Sequence, residues 1–580
     1  MKKLINDPKY AVPEMLEGLV RANPTLALLD GENVVLRSDA AALRERNEVA
    51  LVSGGGAGHE PAHAGYVGAG LLTAAVSGDV FSSPSTDAVL SAIRAVGGPA
   101  GVLLIVKNYT GDRLNFGLAA ELGRLDGIPV EMVLVGDDVA LGTGGHAGRR
   151  GVAGTVLVHK VAGAAAAAGL SLSEVKAEAE AAARAVGTMG VALSGCTVPG
   201  VDEASFDLGH REVELGLGIH GEPGVERTRL VSADAFTDRL IDAIVEDKGL
   251  AAGDEVALLV NNLGATPTME LNIVARRAFS RLSDKRIKVK RVLCGTFLTA
   301  LDMAGCSLSL IKLDAARLAR LDASANAPAW PASPLSSPTQ AVTRIEPDKR
   351  SVDGAGAAEK VDVKAVASAR RLLRHVIAAV RNAEGELTAL DRTVGDGDLG
   401  ISLTRGVDAL ERQLSDRDLA EPSKALRAIS GILRKVVGGT SGPLYAIATL
   451  RASEKLRAAQ STDAAAWSEA FDAACSGIAD LGGAKVGDRT MLDALVPAAV
   501  AFREAVTHGN VLRVALEEAL AAARTGAATT AALLPRRGRS SYLGTRAVGH
   551  SDPGAEAVVI WLEGLRQALA QRATLGEKLS

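Results

Sequence analysis

The chain has 580 residues, of which 47% are hydrophobic and only 3% aromatic, and its net charge is −4. That length exceeds what a single hydrophobic core supports, so we expect two to four domains. No acidic or basic block suggests a nucleic-acid or membrane surface. No apolar segment resembles a signal peptide or a bilayer span, and four scattered cysteines fit a reducing cytoplasm better than disulfides or a zinc site.

The first half alternates short apolar runs with Ala-rich stretches that have helical spacing. The runs end in Gly or Asn and occupy residues 48–56, 101–109, 129–138 and 255–264. Near-continuous apolar strands separated by helices are typical of a mainly parallel sheet that is covered on both faces. The sequence therefore predicts a sheet-based α/β domain over residues 1–330.

The stretch LGLGIHGEPG, residues 215–224, contains a match to the dinucleotide fingerprint G-x-G-x-x-G. A dinucleotide turn requires a helix to begin at the last glycine. Here Pro223 disfavours a helical conformation at Glu222, and the next helical pattern begins only near Ser232. We therefore interpret the match as a coincidence, which leaves the chemistry of His220 among these glycines to be explained.

Five prolines lie between residues 326 and 347, with Ser, Ala and Thr among them. Such a composition favours extended backbone, and we predict a linker over residues 331–360. Beyond it the β-type runs disappear and Ala/Leu patterns with helical spacing recur, which predicts an all-helical domain over residues 361–580. These patterns occupy residues 366–382, 422–437, 464–480, 491–506, 511–526 and 555–571.

The turn LTALDRTVGDGDLG, residues 387–400, places Asp391, Asp396 and Asp398 close together. Three adjacent carboxylates repel one another unless a cation lies between them, and Mg²⁺ prefers such hard oxygen ligands. A calcium loop does not fit, because the twelfth residue counted from Asp391 or from Asp396 is not Glu. The alternative from the residues alone is a solvated helix start with capping aspartates.

Three further Gly-containing turns occur in the helical half: GGTSGPLY at 438–445, GGAKVGDRTMLDAL at 482–495, and the longer Gly/Arg loop at 538–557. Each alone is typical of an ordinary interhelical turn. Four such turns at one end of successive helices in an up-and-down bundle would form a single site for a magnesium nucleotide, with backbone N–H groups and hydroxyls facing the phosphates.

In their order and length these motifs resemble the dihydroxyacetone kinase family, in its ATP-dependent form with two fused domains. The resemblance extends over nearly the whole chain and includes SGGGAGHEPAHAGYVGAG, GDVFSSPS, KNYTGDRLNFGLA, GRRGVAGTVLVHKVAGAAA and LGIHGEPG in the first half, and the aspartate turn, GGTSGPLY, GDRTMLDAL and GHSDPGA in the second. Two departures, Ala446 after GPLY and VGAGLL at 67–72, remove no functional group and leave fine substrate preference open.

For the second half the resemblance implies a barrel of antiparallel helices that holds ATP through Mg²⁺. Asp391, Asp396 and Asp398 match the metal ligands of the family. The positions that match its nucleotide contacts are Leu399, Gly400, Ile401, Thr440, Ser441, Gly482, Thr490, Met491, Asp552, Pro553 and Gly554.

For the first half the resemblance implies a binding site for a short ketose. His220 matches the histidine that adds to the substrate carbonyl as a hemiaminal, and a neutral imidazole is a competent nucleophile for that step. Asp112 is expected to take the proton of the attacking hydroxyl, while His59 and Lys107 orient the substrate and stabilise charge. The substrate-binding positions are Gly56, Ala57, Gly58, His59, Lys107 and Asp112.

The expected activity is ATP-dependent phosphorylation of dihydroxyacetone in the cytoplasm, by a chain that the resemblance implies is a homodimer. The alternatives are the same chemistry on the four-carbon ketose erythrulose, a form that takes phosphate from a phosphoprotein, and a non-catalytic sugar-sensing partner protein. Fusion of the two halves argues against the phosphoprotein form, and the complete set of aspartates argues against a non-catalytic protein.

Overall fold

The computed structural model describes residues 2–142, 148–222, 224–331, 335–339, 342–345 and 362–576. The chain divides into two compact units, Met1–Pro347 and Asp348–Ser580. Most of the linker predicted at residues 331–360 lies outside the described residues, so its conformation stays a prediction. Among the helices of the described ranges, none has both the length and the apolar character required to cross a membrane.

The first unit is built from strands and helices that alternate along much of its length. The strands are β1 (Leu26–Leu28), β2 (Val34–Arg37), β3 (Ala50–Ala57), β4 (Ala74–Val80), β5 (Val102–Lys107), β6 (Val130–Val135), β7 (Val186–Ala192), β8 (Glu212–Leu215), β9 (Glu226–Arg229), β10 (Glu255–Asn262), β11 (Lys288–Gly295) and β12 (Gly305–Lys312). The helices are α1 (Ala11–Ala22), α2 (Ala40–Glu45), α3 (Thr86–Val96), α4 (Thr110–Leu125), α5 (Thr155–Ala167), α6 (Leu172–Ala185), α7 (Ala233–Asp247), α8 (Thr268–Asp284) and α9 (Ala315–Asp322).

These strands form two six-stranded sheets, with the orders β1-β2-β4-β3-β5-β6 and β11-β10-β12-β7-β8-β9. In the first sheet β4, β3, β5 and β6 are parallel, and β1 and β2 add an antiparallel edge. In the second sheet only β10 and β11 pair in parallel. The expectation of one mainly parallel sheet is therefore wrong for the second sheet, because an apolar run indicates burial on both faces but not the direction in which the strand pairs.

The four predicted apolar runs are confirmed as strands β3, β5, β6 and β10. Every residue of β3 and β5 is buried, as their unbroken apolar character indicates. One hydrophobic core joins residues of both sheets, such as Leu103 and Leu259, to the Ala-rich helix α5. Helix α5 is buried along almost its whole length, since its small side chains leave room for close packing on every side.

The second unit is all-helical in the described residues, as predicted. Its helices are α10 (Val363–Asn382), α11 (Glu384–Val394), α12 (Leu399–Gln413), α13 (Asp416–Leu419), α14 (Pro422–Val436), α15 (Ser441–Ala459), α16 (Ala464–Gly482), α17 (Leu492–Thr507), α18 (Leu512–Thr529) and α19 (Pro553–Gly576). The turn predicted at residues 438–445 is shorter than expected: it ends at Thr440, and helix α15 begins at Ser441. Pro443 in the first turn of α15 is compatible with a helix, because N–H groups there have no intrahelical partner.

Eight of these helices form a closed ring in the order α10, α12, α14, α15, α16, α17, α18 and α19, with α19 packed against α10. Short connections make most ring neighbours antiparallel. For the longer connection before α19, the backbone N–H of Asp552 donates to Thr530 Oγ1 at 2.8 Å, so α19 begins where α18 ends. Helices α12, α15, α17 and α19 therefore begin at the same end of the ring.

Candidate functional site

The predicted ketose-binding residues of the first unit meet at the carboxyl edge of the parallel strands. Gly56 and Ala57 end β3, Lys107 ends β5, and Asp112 lies in the first turn of α4. This edge of a parallel sheet is where ligands of open α/β sheets bind. The structure thus brings together residues from separate motifs that sequence reasoning assigned to one site.

Gly55 shows how closely these groups converge. A Cβ atom at this residue would lie 2.9 Å from Lys107 Nζ and 3.4 Å from Asp112 Oδ2, and the φ of +148° disfavours any other residue type. Glycine at this position therefore leaves the space above the strand to the ammonium and carboxylate groups.

His220 lies in the connection between β8 and β9, and three aromatic rings surround it. Its ring centroid is 4.8 Å from that of His59, 4.6 Å from that of Tyr109 and 5.3 Å from that of Phe81, each with an edge-to-face geometry. The side chain of His220 is 18% exposed. The imidazole is therefore held among rigid rings and remains accessible to a small ligand.

Glu222 fixes the orientation of the His220 ring. Its Oε1 lies 3.0 Å from Nδ1 of His220, and its Oε2 accepts the backbone N–H of His220 at 2.8 Å. Partial burial would raise the pKa of Glu222, but the hydrogen bonds and charge interaction with His220 lower it to about 2. An ionised carboxylate at Nδ1 selects the Nδ1–H tautomer, which leaves Nε2 with a free electron pair.

The role of Glu222 is not evident from the sequence. The only signal available was an acidic residue two positions after the histidine in the same motif. Its pairing with the ring depends on the tight turn at Gly221, where φ is +82°.

His59 is fully buried, and its ring stacks on Phe81 with centroids 5.2 Å apart. Its Nδ1 donates to the carbonyl oxygen of Thr299 at 2.8 Å. Burial, together with the charges of Lys107 and His220, holds the pKa of His59 well below its ordinary value. A neutral imidazole that donates through Nδ1 is an acceptor at Nε2. His59 is therefore suited to accept a hydrogen bond from a substrate hydroxyl.

Lys107 and Asp112 are the charged members of this site, and both are buried. Burial lowers the pKa of Lys107, while the carboxylate of Asp112, and to a smaller extent those of Glu222, Glu60 and Asp137, opposes that effect. Asp112 accepts a hydrogen bond from the hydroxyl of Ser83 through Oδ1. Ser83 lies in the motif GDVFSSPS but was not identified as a site residue from the sequence.

In the second unit, Asp391, Asp396 and Asp398 each offer a carboxylate oxygen, and these oxygens lie within 4.8 Å of one another. Asp391 Oδ2 also accepts the backbone N–H groups of Asp398 and Leu399, at 2.9 and 3.1 Å. The capping interpretation is thus partly correct for Asp391. Three partly or fully exposed carboxylates that converge in this way fit the oxygen ligands that Mg²⁺ requires.

Most predicted nucleotide contacts lie at the amino ends of the helices that begin at one end of the ring. Leu399, Gly400 and Ile401 form the first turn of α12; Thr440 and Ser441 begin α15; Thr490 and Met491 precede α17; Asp552, Pro553 and Gly554 begin α19. Amino ends of helices attract phosphate through their free N–H groups and dipole. This arrangement fits the phosphates of a nucleotide beside the aspartate cluster.

Gly482 differs from the other predicted contacts because it is the last residue of α16. A Cβ atom on it would lie 3.4 Å from Leu444 in the first turn of α15, so it also belongs to this end of the ring. A Cβ atom on Gly554 would likewise lie 3.4 Å from Met491 Cβ. The predicted contacts of separate turns are therefore neighbours in space.

Arg489 supports this end of the ring and was not singled out from the sequence. Its buried guanidinium donates to the carbonyl oxygens of Thr530, Ala547 and His550, which frame the loop before α19. Burial raises the pKa of Asp552, which follows this loop, to about 6. Carboxyl groups with pKa values perturbed by burial are more frequent at functional sites than elsewhere.

Comparison with known proteins agrees with this geometry. Residues 17–329 match the Dak1 domain, and residues 393–567 match the DAK2 domain. The chain is 44% identical to the putative 3,4-dihydroxy-2-butanone kinase of Solanum lycopersicum, with 98% of each chain covered. It is 42% identical to the triokinase/FMN cyclase of Homo sapiens, with 98% of this chain and 99% of that protein covered.

A solved structure also matches. The dihydroxyacetone kinase from C. freundii in complex with AMP-PNP and Mg²⁺ superposes with a TM-score of 0.62 at 35% identity, covering 98% of this chain and 99% of that one.

Proposed function

The chain belongs to the dihydroxyacetone kinase family, and from that premise we propose that it phosphorylates a short ketose with ATP, with dihydroxyacetone as the expected substrate and dihydroxyacetone phosphate as the product. One observation carries this proposal. His220 is held by Glu222 in the tautomer that frees Nε2 and lies against His59, while Lys107 and Asp112 converge over Gly55, four residues before His59 in the chain. Such a group of side chains suits a small molecule that has both a carbonyl and a hydroxyl.

The free Nε2 of His220 adds to the substrate carbonyl carbon. A C–N bond forms, the C=O π bond breaks, and the carbonyl oxygen gains a proton while the ring loses its Nδ1 proton. The Glu222 carboxylate stabilises the positive charge that the ring carries during this exchange. A substrate of so few atoms gains little affinity from contacts alone, and the covalent bond supplies orientation instead.

The hydroxyl to be phosphorylated then loses its proton to Asp112, while His59 orients the substrate. Asp112 is buried, and Lys107 offsets the negative charge that develops. Asp391, Asp396 and Asp398 would hold Mg²⁺, which neutralises charge on the nucleotide phosphates. The complex of the C. freundii enzyme with AMP-PNP and Mg²⁺ supports ATP and Mg²⁺ as the cofactors.

The four-carbon ketose erythrulose remains the alternative substrate. The name of the Solanum lycopersicum relative, a putative 3,4-dihydroxy-2-butanone kinase, supports testing four-carbon ketones as well. Each of these compounds has the carbonyl that His220 requires, whereas glycerol does not. A requirement for a carbonyl group in the substrate therefore tests the covalent mechanism, and a comparison of three-carbon with four-carbon ketones tests which substrate is preferred.

The experiment is a panel of dihydroxyacetone, erythrulose, 3,4-dihydroxy-2-butanone and glycerol with ATP and Mg²⁺, read by ADP release. We expect turnover of dihydroxyacetone and none of glycerol. Dihydroxyacetone labelled with ¹³C at its carbonyl should show the signal of a tetrahedral carbon when bound to the full chain, and His220→Ala should abolish that signal. Equal turnover of glycerol, or an unchanged signal in His220→Ala, would reject covalent binding.

A bound adduct without turnover of any ketose would instead favour the sugar-sensing alternative. The homodimer, the cytoplasmic location and the domain boundaries at residues 330 and 360 are further proposals drawn from the resemblance. Light scattering of the purified chain tests the dimer directly.

A further inference from the structure

Two histidines outside the proposed mechanism lie near the ketose site. His63 follows the substrate loop, and His159 lies on helix α5; they are 4% and 0% exposed. Their ring centroids are 5.2 Å apart, in an edge-to-face arrangement. We refer to His63 and His159 as the buried imidazole pair.

The hydrogen bonds of Ser53 determine the tautomer of His159. The Ser53 hydroxyl donates to the carbonyl oxygen of Ile105 at 2.6 Å, and its oxygen lies 3.1 Å from His159 Nε2. A hydroxyl has a single hydrogen, so Ser53 must accept from Nε2–H of His159. Nδ1 of His159 is therefore an acceptor.

Several polar atoms around this pair have no hydrogen-bond partner within the described part of the chain. They are both ring nitrogens of His63, Nδ1 of His159, Oγ1 of Thr155 and Nζ of Lys107, and all are buried. Thr155 lies four residues before His159, on the same face of α5. Buried polar atoms that lack protein partners are normally satisfied by ordered water.

The buried imidazole pair and Lys107 are complementary in hydrogen-bonding capacity. The Lys107 ammonium has three donors and no protein acceptor, whereas the imidazoles have unused acceptor nitrogens. Ser53, the partner of His159, and Gly55, where a Cβ atom would lie 2.9 Å from Lys107 Nζ, are alternate residues of β3, so His159 and the Lys107 ammonium lie over the same face of the sheet. Burial, and next the positive charge of Lys107, lowers the pKa of both His63 and His159, so both rings are neutral. Ordered water between these groups would satisfy all of them.

We propose that ordered water joins Lys107 Nζ to His63 and His159, and that the buried imidazole pair positions the Lys107 ammonium for ketose phosphorylation. His63 and His159 are then positioning residues that act through Lys107. The positioning role rests on the proposed function, whereas the water-mediated contact does not.

The surroundings of Lys107 determine the direction of the expected pH effect. Burial disfavours the ammonium, and the nearby carboxylates favour it. Removing the acceptor nitrogen of His63, which would contact the ammonium through water, leaves the ammonium less stable, so the pKa of Lys107 falls further. The groups that face Lys107 are the carboxylates of Asp112, Glu222, Glu60 and Asp137, the rings of His59, His63 and His159, and the ring of Tyr109, whose centroid is 5.8 Å from Nζ.

The variants are His63→Phe, which removes both ring nitrogens, one donor and one acceptor, and His63→Gln, which restores a polar group with both functions. We expect the alkaline limb of kcat/KM for dihydroxyacetone to move to lower pH by about one unit in His63→Phe. His63→Gln should recover most of that shift, and KM for ATP should not change in either variant. His375→Phe, on helix α10 of the other unit, is the matched control. Identical pH profiles for His63→Phe and wild type, or no recovery in His63→Gln, would reject the positioning role.

A crystal structure of the unmodified full chain tests the contact without any variant and without activity. Ordered water should lie within about 3.2 Å of Lys107 Nζ and of a nitrogen of the buried imidazole pair. Lys107 bonded directly to another protein group, or a dry space between these side chains, would overturn the inference. If the wild-type chain phosphorylates no ketose, the proposed function fails, and this measurement still decides the water-mediated contact.

Discussion

Replacing Glu222 by Gln should reverse the tautomer of His220. In the wild-type protein, Oε2 of Glu222 accepts a hydrogen bond from the backbone N–H of His220, and Oε1 accepts one from Nδ1–H of the His220 ring. Glutamine has one oxygen, and the backbone N–H requires it at the Oε2 position. Its NH₂ group then faces Nδ1, so Nδ1 must become the acceptor and Nε2 must carry the hydrogen. A protonated Nε2 has no electron pair with which to attack a ketone.

The size of the expected effect of Glu222→Gln follows from the free energy required to rotate the glutamine amide by half a turn. That rotation would place NH₂ against the backbone N–H and leave a partly buried donor unsatisfied, which costs about 1–3 kcal/mol. A difference of this size reduces the competent tautomer roughly 5- to 150-fold. The Oε2 position also lies over Gly218 near the guanidinium of Arg150, which favours an oxygen there.

The carboxylate is ionised throughout the pH range of the assay. Its pKa is lowered to about 2 from the ordinary 4.5, so the stability that the ionised Glu222 carboxylate contributes is complete above about pH 4.5 and is lost as the pH falls toward 2. Measurements between about pH 6 and 9 therefore compare a constant carboxylate with the neutral glutamine.

The assay is kcat/KM for dihydroxyacetone, together with the ¹³C signal of the bound carbonyl carbon. Glu222→Gln should lower both by roughly one to two orders of magnitude. Glu222→Ala should be less impaired, because it allows both tautomers. Glu226→Gln, whose carboxylate pairs with Arg239 at 2.6 Å, is the matched control, and ATP affinity should be unchanged in all three variants. Wild-type activity in Glu222→Gln, or a greater loss in Glu222→Ala than in Glu222→Gln, would refute the tautomer argument.

Three further predictions concern single residues. Asp396→Asn should abolish ADP release while the ¹³C adduct persists, and loss of the adduct would show that the sites are not separable. His220→Ala should lower the ratio of kcat/KM for dihydroxyacetone over glycerol, and an unchanged ratio would assign selectivity to other contacts. Burial raises the pKa of Asp552 to about 6 from 3.8, so the native state binds more protons and stability falls as the pH rises between these values. Asp552→Asn, which keeps the acceptor for the N–H of Ala555, should remove that fall and stabilise the ligand-free chain by about 3 kcal/mol at pH 7. Thermal unfolding from pH 4 to 8 measures this difference, and parallel curves would contradict it.

Local sequence patterns were sufficient to predict much of the secondary structure. The unbroken apolar runs of β3 and β5 require burial on both faces, and the helical spacing of residues 366–382 requires one apolar face, as α10 shows. The sequence pattern does not determine strand direction, because the same apolar run can pair in a parallel or an antiparallel sheet. Only the tertiary pairing made β7 and β12 antiparallel neighbours in the second sheet.

The sequence by itself also determined which side chains are available for chemistry, since the aspartate turn and the glycine-lined His220 are visible as short motifs. The tertiary structure decided the chemical state of these side chains. The tautomer of His220 depends on a contact with Glu222 across a tight turn, and the neutrality of His59 depends on complete burial. Protonation and tautomer are properties of the surroundings, which the fold assembles from distant segments, so no local pattern predicts them.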